Sequence, residues 1–419
     1  MLSVAEAQTI VAETTSQGRT FSVRLVDSAG LVLAESIQAP HDSPPFDKAM
    51  MDGFAVATRD FVSADKEAVQ LRIGDIIGAG RVSDTIVGNG QCAQIMTGAV
   101  LPPGADCVVP IERVSFPESH GERSVVEIPG SAVSPDGCIV RKGGIAAAGS
   151  RLIAAGTRIQ AQQLAALAEF GIQRVCVYRR PEVAILATGD ELVDFEEPLT
   201  RGKIRNSNGP MLEALVRQCG AIPVPLGIAR DNADELAAAI QRGLEHDLLL
   251  LSGGVSAGEF DLVPKQLQAA GVRQIFHKVA MKPGKPVWFG STQTPHTACL
   301  VFGLPGNPVS SLVCFQLFVT TALNRLSGVT PSVPAAVPGV LTEDAHARGD
   351  RPVYHPAELR FRGNGISVRP VPWNGSSDLR ATVEANGMFL LNPPDRMQLN
   401  AGTSVDCIPW APLNPPVVR

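Results

Sequence analysis

The strongest constraint on this chain is the stretch Asp247-Leu248-Leu249-Leu250-Leu251-Ser252-Gly253-Gly254-Val255-Ser256-Ala257-Gly258-Glu259-Phe260-Asp261. Four leucines run straight into a glycine-rich turn, and a helix-like pattern follows at Leu262, Leu267 and Ala270. An apolar run this short, bounded by turn residues, suits a strand buried on both faces. Glycines let the backbone turn sharply and let a ligand approach bare amides. Free N–H groups at the start of the next helix favour an anion such as phosphate. Glu259 and Asp261 on the same turn add the acids of a site.

The surrounding region extends this pattern. Residues 181–327 alternate strand and helix signals, the mark of a parallel α/β sheet. Strands are expected at Val183–Leu186, Ile222–Leu226, Leu248–Leu251, near Ile275–Val279 and at Ala298–Phe302. Helices are expected over Met211–Cys219, capped by Asn206 or Asn208, over Ala233–Leu244, from about Asp261, and along the apolar run to about Leu326. Asn307 followed by Pro308 suits the start of that last helix.

The flanks read differently. Ser3 and Glu6 have the capping-box spacing, with Val4, Ala7, Ile10 and Val11 as an apolar stripe. Residues 41–142 hold the turn Asp52-Gly53 and then short β-like runs split by Gly, Pro and Asp. Thr97, next to a glycine, can face a ligand or close a plain turn. Residues 143–180 look helical around Gln162–Ala168, stopping near Gly171, and this helix is expected to pack with the opening one. The expected fold is therefore multidomain α/β. A split N-terminal domain (1–40 and 143–180) carries an inserted small β domain (41–142). A parallel-sheet α/β domain (181–327) and a C-terminal β domain (328–419) follow.

Composition excludes several classes. The 419 residues are 45% apolar and 18% charged, with a formal net charge of -5. That is ample for packed cores, and no basic block suggests nucleic acid or an acidic membrane. Met1-Leu2-Ser3-Val4-Ala5-Glu6 has neither a basic start nor a long apolar core, so no signal peptide is expected. No apolar run approaches the ~20 residues that span a bilayer. The eight cysteines are scattered without a CxxC pair, which fits reduced thiols in a cytosolic protein. GxGxxG after the first strand and GxxxxGK[ST] are both missing, so dinucleotide and P-loop readings lack their fingerprints.

Ligands of open α/β sheets bind beyond the carboxyl ends of the strands. There this sequence places Asp190 and Glu191, Asp231, Ser252 to Asp261, and Gly303 to Ser311. Lys282-Pro283-Gly284-Lys285-Pro286 presents two lysines from an irregular loop, because each precedes a proline. Two ammonium groups beside exposed backbone suit an oxyanion. Glu191, Asp231 and Asp261 would repel that oxyanion. Two like charges ~4 Å apart cost about 4 kcal/mol at an effective dielectric of ~20. A divalent cation between them resolves the conflict, and Mg²⁺ suits carboxylates plus phosphate oxygens.

Taken in order, Pro45-Phe46-Asp47…Met51-Asp52-Gly53-Phe54-Ala55, Thr188-Gly189-Asp190-Glu191-Leu192, the Ser252–Asp261 stretch, Lys282–Pro286 and Gly303-Leu304-Pro305-Gly306-Asn307-Pro308-Val309-Ser310 resemble the MoeA family. These are molybdopterin molybdenumtransferases, a group that includes the gephyrin E domain. The resemblance spans essentially the whole chain and is weakest after residue 340. It implies four domains per subunit and an elongated, cytoplasmic homodimer. The site would lie between the α/β domain of one subunit and the inserted β domain of the other. The implied reaction inserts molybdate into adenylylated molybdopterin, with Mg²⁺, giving molybdenum cofactor and AMP. A molybdopterin adenylyltransferase and acceptor molybdoenzymes are the implied protein partners, with no nucleic acid or membrane. By motif, Ser256, Asp261, Glu191 and Asp231, with Gly253 and Gly254, would hold the pterin nucleotide and its magnesium. Asp52 and Thr97 would enter from the partner subunit. Lys278 and Lys282 fall on functional positions of the family, and Lys282, Lys285, Ser310, Arg351 and Ser376 would contact molybdate. Two departures stand out. Ala146 occupies the aspartate position of the family's Arg-x-x-Gly-x-Asp-Ile run, and a second arginine expected near Pro356 is replaced. The first departure motivates an alternative, a non-catalytic carrier or scaffold for the cofactor.

Overall fold

A computed structural model of the chain describes all residues except 63–66, 118–123, 255–261, 293–297, 347–348, 364, 393–397 and 412–419. The chain forms two compact units. One comprises Met1–Ala34, Gly156–Gln160 and Val175–Arg419, the other Glu35–Ala155 and Ala161–Arg174.

The first unit opens with α1 (Val4–Thr14), where Ser3 and Glu6 form the expected reciprocal capping box. Its stripe of Val4, Ala7 and Val11 is buried in one core with Phe315, Leu317 and Phe318. The expected partner of α1, the helix near 161–169, belongs to the other unit. An apolar stripe specifies that a helix is buried, not against what.

In the second unit, β1 (Gly53–Val56), β2 (Ala68–Ile77), β3 (Gln91–Ile95), β4 (Cys107–Pro110) and β5 (Val125–Pro129) form a sheet in the order β4-β1-β3-β2-β5. Alternate residues feed two cores. Phe54 and Val56 pack with Leu71 and Val109, while Ala55 packs with Ile95 and Val108. This unit closes with α2 (Ala161–Glu169).

The larger sheet belongs to the first unit. It contains β6 (Glu182–Thr188), β7 (Ile222–Ala229), β8 (Leu248–Ser252), β9 (Val272–His277), β10 (Trp288–Thr292) and β11 (Leu300–Leu304) in the order β7-β6-β8-β11-β10-β9. Every residue of β8 is buried. Leu248 and Leu250 enter one core with Val183, Ile185 and Phe302, and Leu249 and Leu251 enter another with Ala184, Leu186 and Val301. Each leucine so buried contributes roughly 1.5–3 kcal/mol. Helices α3 (Asn208–Gln218), α4 (Ala233–Gly243) and α5 (Val263–Ala269) join the strands.

The four strands β7, β6, β8 and β11 run parallel. The sequence reading did not include β10, which lies antiparallel between β11 and β9 and makes an edge hairpin. Register then fixes where the loops emerge. Ala187 pairs with Ser252 and Ser252 with Leu304, so the polar turns start at one level. Trp288 pairs with both Gly303 and His277, which brings the 278–287 connection to that same end.

The helical run Pro308–Leu326 consists of α6 (Pro308–Cys314), a π turn (Phe315–Val319) and α7 (Thr320–Leu326). It is long and apolar enough to cross a membrane, contrary to the reading from sequence, but 78% of its most apolar window is buried inside the protein. It is a core helix of the α/β layer. Beyond it, β12 (Val337–Leu341), β13 (Val353–Arg362), β14 (Gly365–Pro370), β15 (Gly387–Leu391) and β16 (Ser404–Pro409) close into a barrel in the order β12-β14-β13-β15-β16.

Candidate active site

The turn after β8 is shaped by two glycines. Gly253 and Gly254 have φ of 96° and 63°. A Cβ on Gly253 would lie 2.6 Å from the Thr188 carbonyl oxygen, and one on Gly254 would lie 2.6 Å from Val263 Cγ2. Only glycine fits both the left-handed backbone and the space. The Gly253 N–H donates to the Leu304 carbonyl at 3.1 Å, tying this turn to the one after β11. Ser256, Glu259 and Asp261 lie outside the described residues.

The acids sit on adjacent loops after β6 and β7. Asp190 Oδ1 accepts from the Asp231 N–H at 3.1 Å, and Gly189 N–H donates to the Ala229 carbonyl at 3.2 Å. Arg230 Nη1 donates to the carbonyls of Leu192 at 2.9 Å and Asp190 at 3.3 Å, and Lys203 donates to the same Asp190 carbonyl. Asp190 therefore holds the loops together, which leaves the exposed carboxylates of Glu191 and Asp231 for other work. The Glu191 carboxylate folds back over Gly189, so a Cβ there would meet it at 2.4 Å. Among the described residues, no three His, Cys, Asp or Glu side chains converge as a metal site. Glu191 and Asp231 offer hard oxygen donors suited to Mg²⁺ but do not complete a site alone.

The lysine loop joins β9 to β10. Lys278 N–H donates to Val287 and Val279 N–H to Lys285, both at 3.0 Å. Lys278 has φ of 73°, a left-handed conformation that costs a non-glycine residue roughly 1–2 kcal/mol. Two neighbours pin the loop. Ala280 N–H donates to the Leu2 carbonyl at 2.8 Å on one side. On the other, Lys282 N–H donates to Pro352 and Tyr354 N–H to Lys282, each at 2.8 Å. Arg351 Nη1 donates to the Met281 carbonyl at 3.1 Å. The barrel thus delivers Arg351 to the lysine loop through backbone pairing.

Ser376 arrives from another barrel connection. Its carbonyl accepts from Val309 N–H at 3.1 Å, and its hydroxyl accepts from Asn307 Nδ2 at 2.9 Å. Asn307 occupies the expected cap position, but its side chain makes no cap bond and turns to Ser376 instead. Ser310 is buried in the first turn of α6. One turn later Cys314 Sγ lies 3.5 Å from the Gly284 carbonyl of the lysine loop. Lys282, Arg351, Ser310 and Ser376 therefore hang on one connected piece of structure, with Lys285 exposed beside them. The next barrel residue, His355, packs on Phe389 and edge-on to Trp373, and burial pushes its imidazole below the ordinary range.

In the second unit, Gly53 pairs with Ile95, which sets Asp52 beside the turn after β3. Asp52 Oδ1 accepts from both the N–H and the hydroxyl of Thr97 at 2.7 Å. These bonds, the backbone one first, hold the Asp52 carboxyl below the usual carboxylate range. Nearby, Arg141 pairs with Asp47 and Asp136, and Ala146 exchanges backbone hydrogen bonds with Ser43 at 2.8 and 3.0 Å. The backbone around Ala146 is thus held through Ser43, independently of the side chain there.

Asn208 is not among the site residues that the sequence nominates, where it stands only as a possible helix cap, and Asn307 is named only within the Gly303–Ser311 turn and as a cap, with no role of its own. The signal for Asn208 is its place at a helix start facing the glycine turn, and it becomes legible only with the fold in hand.

Residues 2–171 match the MoeA N-terminal region (domain I and II), residues 184–325 a probable molybdopterin binding domain, and residues 338–410 the MoeA C-terminal region (domain IV). A molybdopterin molybdenumtransferase of Bacillus subtilis is 36% identical over 426 residues, covering 99% of this chain and 97% of its own. One from Staphylococcus epidermidis is 34% identical, covering 97% and 95%. The crystal structure of a molybdopterin biosynthesis MoeA protein from Pyrococcus horikoshii superposes with a TM-score of 0.82 at 26% identity, covering 98% of this chain and 100% of that one. With three regional matches and relatives this similar along nearly the full length, the chain belongs to the MoeA family.

Proposed function

We propose that this protein is a cytoplasmic molybdopterin molybdenumtransferase that inserts molybdate into adenylylated molybdopterin with release of AMP. The observation that carries the reading is the convergence, at one end of one sheet, of a glycine turn, two acidic loops and a lysine loop. Acidic and cationic groups on neighbouring loops suit a substrate pair of nucleotide and oxyanion. Lys282 and Lys285 would bind molybdate as point charges, with Arg351, Ser310 and Ser376 orienting its oxygens. Gly253 and Gly254 would let the pterin nucleotide approach bare amides, with Ser256 beside them. Glu191, Asp231 and Asp261 would hold Mg²⁺. A bound Mg²⁺ would neutralise the phosphate and polarise it for hydrolysis. Lys278 would add cationic charge at the start of the lysine loop.

The working unit in this reading is a homodimer of four-module subunits (1–40 with 143–180, 41–142, 181–327 and 328–419). Asp52 and Thr97 of one subunit would complete the site of the other. An adenylyltransferase would supply the pterin nucleotide, and acceptor molybdoenzymes would take the product. The test is incubation of purified protein with adenylylated molybdopterin, Mg²⁺ and molybdate. AMP release and a product that activates a cofactor-free molybdoenzyme are expected. In the same assay the double variant Lys282→Ala, Lys285→Ala should raise the molybdate KM while pterin-nucleotide binding persists. Pterin-nucleotide binding without AMP release would replace the enzyme with the carrier reading.

A further inference from the structure

Asn208, at the start of α3, is buried, and its amide touches two site turns at once. Nδ2 donates to Ser252 Oγ at 2.7 Å and to the Gly306 carbonyl at 2.8 Å. Ser252 is the residue before the Gly253-Gly254 turn. Gly306 precedes Asn307, whose own amide holds Ser376. The two turns come so close that a Cβ on Gly306 would lie 3.8 Å from Gly253 Cα.

The other half of the amide is unserved: among the described residues, nothing donates a hydrogen bond to the buried Asn208 Oδ1. Reversing the amide would set its oxygen against the Gly306 carbonyl, two acceptors face to face, so the two donor bonds fix the orientation. A buried acceptor without a partner opposes folding, and an apolar side chain of similar size would avoid it. Such breaks of a packing rule concentrate at functional or strained sites.

We infer that Asn208 is a positioning residue that locks the pterin-nucleotide turn after β8 to the molybdate turn after β11. The inference rests on the transferase reading above, since that reading supplies the two ligands. Asn208 acts through Ser252 and Gly306. Neither partner is ionisable in the working pH range, so the native lock is insensitive to pH.

The test uses the full-length variants Asn208→Ala and Asn208→Asp. Asn208→Ala should raise the KM of both substrates by about tenfold, because both turns lose their common anchor. Asn208→Asp should be weak at neutral pH and recover, relative to wild type, as pH falls. A protonated carboxyl regains one donor for the Gly306 carbonyl. A side chain that only supports folding would lower the melting temperature and the active fraction equally at every pH, with both KM values unchanged. That result, or a rise in only one KM, overturns the inference. Absence of wild-type turnover would sink the functional reading instead. Calorimetric binding of AMP and of molybdate to wild type and Asn208→Ala would then still decide the positioning role.

Discussion

Asp52 takes both of its side-chain hydrogen bonds from one threonine 45 positions away, and its acidity follows from them. Hydrogen bonds to the charged form favour ionisation, so the folded-state pKa lies below its ordinary value. The sign is that of a depressed carboxylate. Its contribution to stability is present above the unfolded pKa and is lost as pH falls through the folded one. Thr97→Ala removes the hydroxyl donor and keeps the backbone N–H. The Asp52 pKa should therefore rise part of the way back, as read by carboxyl carbon chemical shifts during an acid titration. An unchanged titration would mean that the Thr97 hydroxyl does not act on Asp52. The sequence marked both residues as turn positions next to glycines. The family resemblance sends both to one site, but nothing in the residues showed that they bond each other, because that depends on the Gly53–Ile95 register. The same limit applies after β6. By type and position alone Asp190 and Glu191 are interchangeable; the bond that Asp190 accepts from the Asp231 N–H marks Asp190 as the structural acid.

At the scale of elements, the buried parallel strands were legible because leucine, valine and isoleucine runs end in glycine-rich or polar turns. The edge hairpin was half legible. Lys282-Pro283-Gly284-Lys285-Pro286 announced a loop, but Trp288–Thr292 is too short and too interrupted by Gly290 to show a period. The loop itself depends on one residue. Gly284 has φ of 103°, and a Cβ there would lie 2.6 Å from Cys314 Sγ and 3.0 Å from Met281 Cε. Gly284→Ala meets backbone strain and a clash with buried core atoms together, and should destabilise the protein by about 1–3 kcal/mol. Because Lys282 and Lys285 flank Gly284, the molybdate KM should rise in the folded fraction. Thermal denaturation and molybdate titration check the two effects separately. A normal melting temperature would contradict the packing argument. A normal KM in a destabilised variant would show that the loop tolerates the shift.

At the scale of the molecule, the decisive matter is whether one chain can complete a site. Asp52 and Thr97 belong to the second compact unit, whereas the lysine loop and both acidic loops belong to the first. The proposed homodimer assigns the two halves of each site to different chains, and subunit mixing tests that assignment. Take one chain carrying Asp52→Ala and another carrying Lys282→Ala with Lys285→Ala, assayed at a molybdate concentration far below the raised KM of the lysine variant, where neither homodimer is expected to turn over appreciably. In a mixed dimer, one site receives intact lysines from the first chain and intact Asp52 from the second. The other site receives both lesions. Random re-association makes about half of the dimers mixed, each with one sound site of two, so about a quarter of wild-type activity should return. Sites built within single chains would all carry a lesion, and no activity would return at any mixing ratio. Size-exclusion chromatography and differently tagged chains confirm that exchange has occurred, so a silent mixture of exchanged dimers would refute the shared site.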